Sequence, residues 1–380
     1  MTTRTVWNSI ALVAIVGVWA WSCTVTSGTT MDSGALPDSG APPNVCEGVT
    51  PGPPPPAGAT QGPCDIYAAD GGPCVAAHST VRALYGGYNG PLYQVKKADG
   101  TTKDIGVLAA GGLANGAEQD AFCGTGACTI SKIYDQSGWA NHLTRGPPSM
   151  IKPTETNESN AKALPVMFGS NKAYGVRIVP GGGYRNNGAC GTATGDNPET
   201  EYMIVAGDFF NSGCCFDYGN MERNSRNNHE GTMEAVYFGT CIIWGKGDGA
   251  GPWVMGDLED GLWAGSSSPW ADNKPVTHKY VMGLVKGDSM SAAFPDGHWA
   301  IKVGNAQSGG LSKPFDGKRP NNRYNPMRKE GAIGLGTGGD GSSGAQGNWF
   351  EGVMTAHYSS NAADDAVQAN IASVYSQLPQ

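Results

Sequence analysis

Asp257 and Glu259 stand two residues apart in the segment Trp253-Val254-Met255-Gly256-Asp257-Leu258-Glu259-Asp260-Gly261-Leu262. In a strand, successive side chains point to opposite faces. Val254, Leu258 and Leu262 then form an apolar face that belongs to a core. Trp253, Met255, Asp257 and Glu259 form the other face, with its two carboxylates about 7 Å apart. Acids beside an indole suit the floor of a sugar site, where a flat ring and hydroxyl acceptors are both needed. The same pattern also fits a solvated strand face.

A second acid, Asp340, sits in the run Gly334-Leu335-Gly336-Thr337-Gly338-Gly339-Asp340-Gly341-Ser342-Ser343-Gly344. The run contains a formal G-x-G-x-x-G, but more Gly and Ser follow where a dinucleotide site needs a helix. A short strand leading into a glycine loop is the better reading. Such a loop lets backbone approach a ligand closely, and it equally describes a plain surface loop. Cleavage of a glycosidic bond uses two carboxyl groups in different protonation states. One attacks the anomeric carbon and the other protonates the leaving oxygen. A separation of about 5–5.5 Å between them gives retention of configuration. The six histidines are scattered without metal-ligand spacing, and no Ser lies in a G-x-S-x-G elbow. No metal and no cofactor are expected.

The elements that would carry these acids are short. Apolar runs at Thr129–Tyr134, Glu201–Ala206, Met233–Phe238, Trp253–Leu262, His278–Val285, Trp299–Val303, Ala332–Leu335 and Trp349–His357 have strand length and are broken by Gly, Asn, Asp and Pro. That pattern predicts an all-β sandwich or jelly roll. Two helices are predicted. Ala77, Val81, Leu84 and Tyr85 share a helical face within Val75–Tyr85. Val367, Ile371, Val374, Tyr375 and Leu378 recur at helical spacing, with Asn361 and Asp364 as a cap.

With 58 Gly and only 15% charged residues in 380, the composition suits an extracellular β protein rather than a helical cytosolic one. A net charge of −8 makes nucleic acid an unsuitable partner. Arg4 precedes the apolar stretch Ile10–Trp21, so residues 1–22 are read as an export signal. Cys23 is either a lipidation site, anchoring the chain to a membrane, or is discarded with the signal. Residues 23–62, rich in Thr, Ser, Gly and Pro, are expected to form a disordered tether, and the folded domain to span 63–380. Cysteines in an exported chain predict disulfides before metal ligands. Cys64 with Cys74, Cys123 with Cys128, and adjacent Cys214-Cys215 are close pairs. Cys190 and Cys241 are candidates for a fourth bridge, which leaves Cys46 over.

Several of these segments carry a family resemblance. Gly62-Pro63-Cys64-Asp65-Ile66-Tyr67, Ile133-Tyr134-Asp135-Gln136-Ser137-Gly138, Tyr184-Arg185-Asn186-Asn187, Cys214-Cys215-Phe216-Asp217-Tyr218-Gly219-Asn220 and Glu351-Gly352-Val353-Met354-Thr355 resemble the catalytic domain of glycoside hydrolase family 54. The matches are collinear over roughly residues 62–378. The resemblance implies a concanavalin-like β-sandwich and a retaining α-L-arabinofuranosidase, in some members also active on β-xylosides. It implies Glu259 as nucleophile and Asp340 as general acid/base. Asp257 would bind sugar hydroxyls, Trp244 would line the pocket, and the Gly339 backbone would approach the sugar. Asp260 and Leu262 would add further substrate contacts. Cys214-Cys215 would form a vicinal disulfide lying against the sugar as an apolar plate. Asp260 departs from the family, where Asn is expected. The C-terminal β-trefoil of many members is expected to be absent from a chain ending at Gln380. The implied partner is an arabinose-bearing plant cell-wall polysaccharide or oligosaccharide, acted on by a secreted or cell-surface monomer. A β-xylosidase or other furanosidase on the same scaffold, or a non-catalytic carbohydrate-binding surface protein, are the alternatives.

Overall fold

The computed structural model describes residues 46–320 and 322–379. The export signal, Cys23 and the first part of the expected tether lie outside the described residues. Residues 46–62 contain no helix or strand but lie against the domain. Cys46 is bonded to Cys190, and the Gly52 N–H donates to the Gly138 carbonyl at 2.8 Å.

Two seven-stranded antiparallel sheets make the body of the fold. One runs in the order Cys74–Ser79, Gly347–Thr355, Glu199–Phe210, Tyr280–Asp288, His298–Asn305, Ser308–Gly317, with Val176–Ile178 also pairing to Gly347–Thr355. The other runs in the order Leu262–Trp263, Trp253–Asp257, Glu234–Gly239, Asp217–Met221, Ala332–Leu335, Tyr184–Asn186, Thr144–Arg145. The predicted all-β sandwich is therefore the observed one. Between the sheets pack Val236 and Val254, which both touch Gly283, together with Trp299, Tyr218 and Trp349. Gly256 is required here, because a Cβ on it would stand 2.5 Å from the Trp299 ring. The helix Asn361–Tyr375 covers the outer face of the first sheet. Tyr375 packs on Tyr280 and Phe350 and donates its hydroxyl to Glu351 at 3.0 Å. Burial on both faces explains why Glu199–Ala206 shows no exposed position and reads as a continuous rather than an alternating run.

Four expectations are corrected. Val75–Tyr85 is not a helix. Cys74–Ser79 is a strand registered on Gly347–Thr355, and the chain then turns. Its apolar residues matched a helical face because the segment is buried throughout. The helix lies upstream at Pro63–Ala69, where Pro63 opens the first turn and Asp65 accepts the Gly62 N–H at 2.7 Å. The predicted strand Trp253–Leu262 is two strands joined by a tight turn, with Asp257 opposite Leu262. The Asp260-Gly261 dipeptide is the turn signal that alternation overrode. Finally, Cys190 bonds Cys46, not Cys241, with a Cα–Cα distance of 5.4 Å. Cys241 is held elsewhere, in an apolar cluster with Tyr237, Trp253 and Met255. The pairs Cys64–Cys74, Cys123–Cys128 and Cys214–Cys215 form as expected. Four disulfides mark a chain folded in an oxidising compartment. Ser360, rather than Asn361, caps the C-terminal helix by accepting the Ala363 N–H at 3.1 Å. Asp364 instead accepts from Lys286 and Lys302.

Candidate functional site

Alternation holds over the strand Trp253–Asp257. Val254 points into the main core, while Trp253 and Met255 point to the outer face of the second sheet. There they form an apolar base with Cys215, Tyr237, Cys241, Leu262 and Ala264. Above that base is a small pocket lined by Cys214, Cys215, Glu222, Asn227, Met233, Asp257, Glu259, Gly338, Gly339, Asp340 and Ser342. Folding thus brings the strand acid and the glycine-loop acid to one site. Trp244, Asp260 and Leu262, also expected at the sugar, are not among these lining residues.

Glu259 sits in the turn after the strand with φ +77°, a left-handed conformation unusual for a residue with a side chain. Such positions cost on the order of 1 kcal/mol and persist when surrounding contacts enforce them. Here those contacts are five backbone N–H groups of residues 228–232. Asn228 and His229 donate to Oε1 at 2.8 and 3.0 Å. Glu230, Gly231 and Thr232 donate to Oε2 at 2.9, 2.6 and 3.0 Å. The Glu259 N–H in turn donates to Asp257 Oδ1 at 3.1 Å.

Asp340 is carried by a loop folded on itself, with Gly338 donating to the Ser342 carbonyl and Gly341 to the Gly338 carbonyl. Asp340 Oδ1 accepts the Ser342 N–H at 2.8 Å. Arg185, buried, clamps this loop. Its Nη1 donates to the Gly338 and Gly339 carbonyls at 2.8 and 2.9 Å, and its Nη2 to the Glu222 carbonyl at 2.7 Å. One guanidinium therefore ties the acid loop to the end of the strand Asp217–Met221.

The pocket floor is rich in acids that sequence reading missed. Asp217 is fully buried beside Asp257. Burial, then the Asp257 charge, holds its carboxyl well above the usual range. Asp257 itself is pushed up to about 7, chiefly by burial. Two adjacent buried carboxyls of this kind disfavour each other's ionisation. Glu222 is 1% exposed, and burial followed by the nearby Glu259 charge raises it well above the usual range. Asp217 was visible in the sequence as the acid two residues after the paired cysteines, but nothing in the period marked Glu222, which follows the last strand residue.

Cys214 Sγ, Cys215 Sγ and a carboxylate oxygen of Asp257 lie within 4.8 Å of one another. The sulfurs are bonded to each other, so they present an apolar wall beside Asp257 rather than thiolate ligands. Trp244 is 63% exposed at φ +67° and lies over Gly261, where any Cβ would stand 1.6 Å from its ring. It stands on the turn that carries Glu259. Asp260 is turned away to meet His229 Nδ1 at 2.6 Å and the Arg323 guanidinium. Leu262 lies in the apolar base.

Fold and pocket together define a concanavalin-like sandwich whose site is built from carboxyl groups around an apolar disulfide wall. The chain belongs to glycoside hydrolase family 54, since the family described as alpha-L-arabinofuranosidase B, catalytic, matches residues 63–376. It is 53% identical to a probable alpha-L-arabinofuranosidase B of Aspergillus terreus over 326 residues, covering 84% of this chain and 63% of that protein. It is 54% identical to a probable alpha-L-arabinofuranosidase B of Aspergillus fumigatus over 317 residues, covering 82% and 61%. Among solved structures, a family 54 α-L-arabinofuranosidase soaked with a cyclic sulfate inhibitor superposes with a TM-score of 0.78 at 46% identity, covering 83% of this chain and 65% of that one. An arabinofuranosidase complexed with arabinofuranosyl-alpha-1,2-xylobiose matches with the same score and coverage. The chain thus spans somewhat under two thirds of these relatives' length.

Proposed function

We propose that this chain is a retaining α-L-arabinofuranosidase that removes terminal non-reducing arabinofuranosyl residues from arabinoxylan or arabinan side chains. The reading is carried by one observation: Glu259 and Asp340, distant in sequence, line the same pocket. Family membership and the name shared by the relatives support it.

In this mechanism Glu259 attacks the anomeric carbon. Oε2 keeps three backbone donors and Oε1 only two, so Oε1 is the attacking oxygen. As its bond to carbon forms, the glycosidic C–O bond breaks and the Asp340 proton passes to the leaving oxygen. A glycosyl ester on Glu259 results. Water then attacks the same carbon, gives its proton to Asp340 and releases Glu259. Asp257 receives sugar hydroxyls, and the Cys214–Cys215 disulfide faces the apolar side of the ring. Gly339 lets the loop approach the sugar closely. Trp244 stands at the rim and meets the part of the sugar that projects outward.

Residues 63–380 form the catalytic domain in this reading. Residues 1–22 direct export to the outside or the cell surface, and the following segment tethers the domain. A second activity on β-xylosides is favoured by one relative, an arabinofuranosidase/B-xylosidase of Trichoderma koningii at 51% identity.

The test is incubation with arabinoxylan, following released arabinose and its first-formed anomer by proton NMR. Release with retained configuration is expected, and Glu259→Gln should lower turnover by roughly a thousandfold or more. Inverted product, or a Glu259→Gln variant as active as the parent, would remove the assignment. Aryl α-L-arabinofuranoside and aryl β-xyloside compared side by side separate the two activities. Sugar binding without hydrolysis would favour a lectin.

A further inference from the structure

Among the carboxyl groups around the pocket, Glu222 has no role in the cycle above. Its side chain lines the pocket and is 1% exposed, yet among the described residues neither of its carboxyl oxygens has a hydrogen-bond partner. Arg185, a strong donor nearby, gives its Nη2 to the Glu222 backbone carbonyl instead. The carboxyl lies directly beneath the Gly339 backbone: a Cβ on Gly339 would stand 1.5 Å from Glu222 Oε2. The glycine loop is therefore shaped around this acid.

A buried carboxyl without a partner is costly to keep unless a ligand supplies one. Burial, then the Glu259 charge, raises the Glu222 carboxyl well above the usual range despite the nearby Arg185 cation, which favours the neutral acid. As a neutral acid it has one O–H to donate and one carbonyl oxygen to accept. We propose that Glu222 is a specificity-determining residue of the pocket, donating its carboxyl O–H to the 2-hydroxyl oxygen of the bound pentofuranose. Glu259 must reach C1 for the reaction, and the carbon next to C1 carries the 2-hydroxyl. Of the ring substituents, that hydroxyl lies nearest to an acid seated beside Glu259. The inference rests on the arabinofuranosidase reading of the same pocket and deepens it.

The experiment compares the wild type with Glu222→Gln and Glu222→Leu on three substrates: 4-nitrophenyl α-L-arabinofuranoside and its 2-deoxy and 5-deoxy analogues. Glutamine keeps a donor and an acceptor at the same positions, so E222Q should retain kcat/KM within about tenfold with an unchanged pH profile. E222L should lose about a hundredfold on the parent and 5-deoxy substrates. On the 2-deoxy substrate, E222L and wild type should differ by less than tenfold. Equal loss on all three substrates would show a packing role and overturn the proposal. So would an E222Q variant as inactive as Glu259→Gln, or one with a shifted pH profile, since either would mean that Glu222 works ionised. E222Q alone still decides the matter should E222L not fold. Wild-type turnover of the parent glycoside, and its loss in Glu259→Gln, test the underlying activity separately.

Discussion

Asp340 and Glu259 differ in how the chain holds them, and that difference matches the work proposed for each. Glu259 is fixed by five N–H donors on a strained turn. Asp340 is partly exposed and held by a single N–H from Ser342, leaving one oxygen able to give and take a proton. Removing the proton donor hurts most when the leaving group needs protonation. Asp340→Asn should therefore lower kcat/KM by about 10²–10⁴-fold on an alkyl arabinofuranoside. On the 4-nitrophenyl glycoside, whose leaving group departs as a stable anion, the first bond-breaking step should suffer far less. Pre-steady-state release of nitrophenolate measures that step. Equal loss on both substrates would argue against a role in leaving-group protonation.

At the scale of elements, the hairpin from Trp253 to Trp263 is the part that makes the site. Its first strand sets the face of Met255 and Asp257, and its turn then departs from strand geometry to place Glu259. Gly261 allows that turn, at φ +111° and directly under the Trp244 ring. Gly261→Ala should destabilise the fold by about 1–3 kcal/mol and shift Trp244 from its place over the turn. Thermal unfolding and tryptophan fluorescence read these two effects, and an unchanged melting temperature would contradict the turn's dependence on glycine. The same hairpin shows how far periodicity carries. Alternation placed Trp253, Met255 and Asp257 correctly, because a strand's period of two is set by local backbone geometry. It failed beyond Asp257, where a tertiary contact, the N–H row of 228–232, rewards a conformation that local preference disfavours. Val75–Tyr85 failed for a related reason: burial on all sides leaves no polar face by which a period can be judged.

Among its described residues the whole molecule keeps several acids out of water. Burial pushes Glu199 up to about 7 and Asp257 to about 7, and raises Glu201, Asp217 and Glu222 well above their usual range. Unfolding returns each to the ordinary carboxylate range, so the native state binds more protons than the unfolded state between those values. These acids make stability fall as pH rises from about 4 through 7, while His78 and His142, held low by burial, pull the other way as pH rises toward the usual histidine range. Carboxyls held below their usual range, such as Asp70, Asp120 and Asp316, act in the opposite sense at lower pH. The melting temperature should decline between pH 5 and 8. Asp217→Asn, which removes one such acid beside Asp257, should flatten that decline. A wild-type melting temperature rising over the same range would refute the argument.

Read alone, the amino-acid sequence determined the features that local chemistry writes down. It marked short strands punctuated by glycine, an apolar alternation beneath Asp257, close cysteine pairs, and family motifs naming Glu259 and Asp340. The tertiary structure decided what depends on distant partners. Cys190 met Cys46 because the two were brought together across the surface, while Cys241 was drawn under the site. Arg185 bound the loop of Asp340 to the strand end before Glu222, and Glu222 itself came to lie beneath Gly339. Cys46 with Cys190, Arg185 with Gly338 and Glu222 with Gly339 join residues more than a hundred positions apart. Arg185, Glu222 and the loop of Asp340 come within reach because Tyr184–Asn186 and Asp217–Met221 pair on either side of Ala332–Leu335 in one sheet, and no local period encodes that pairing.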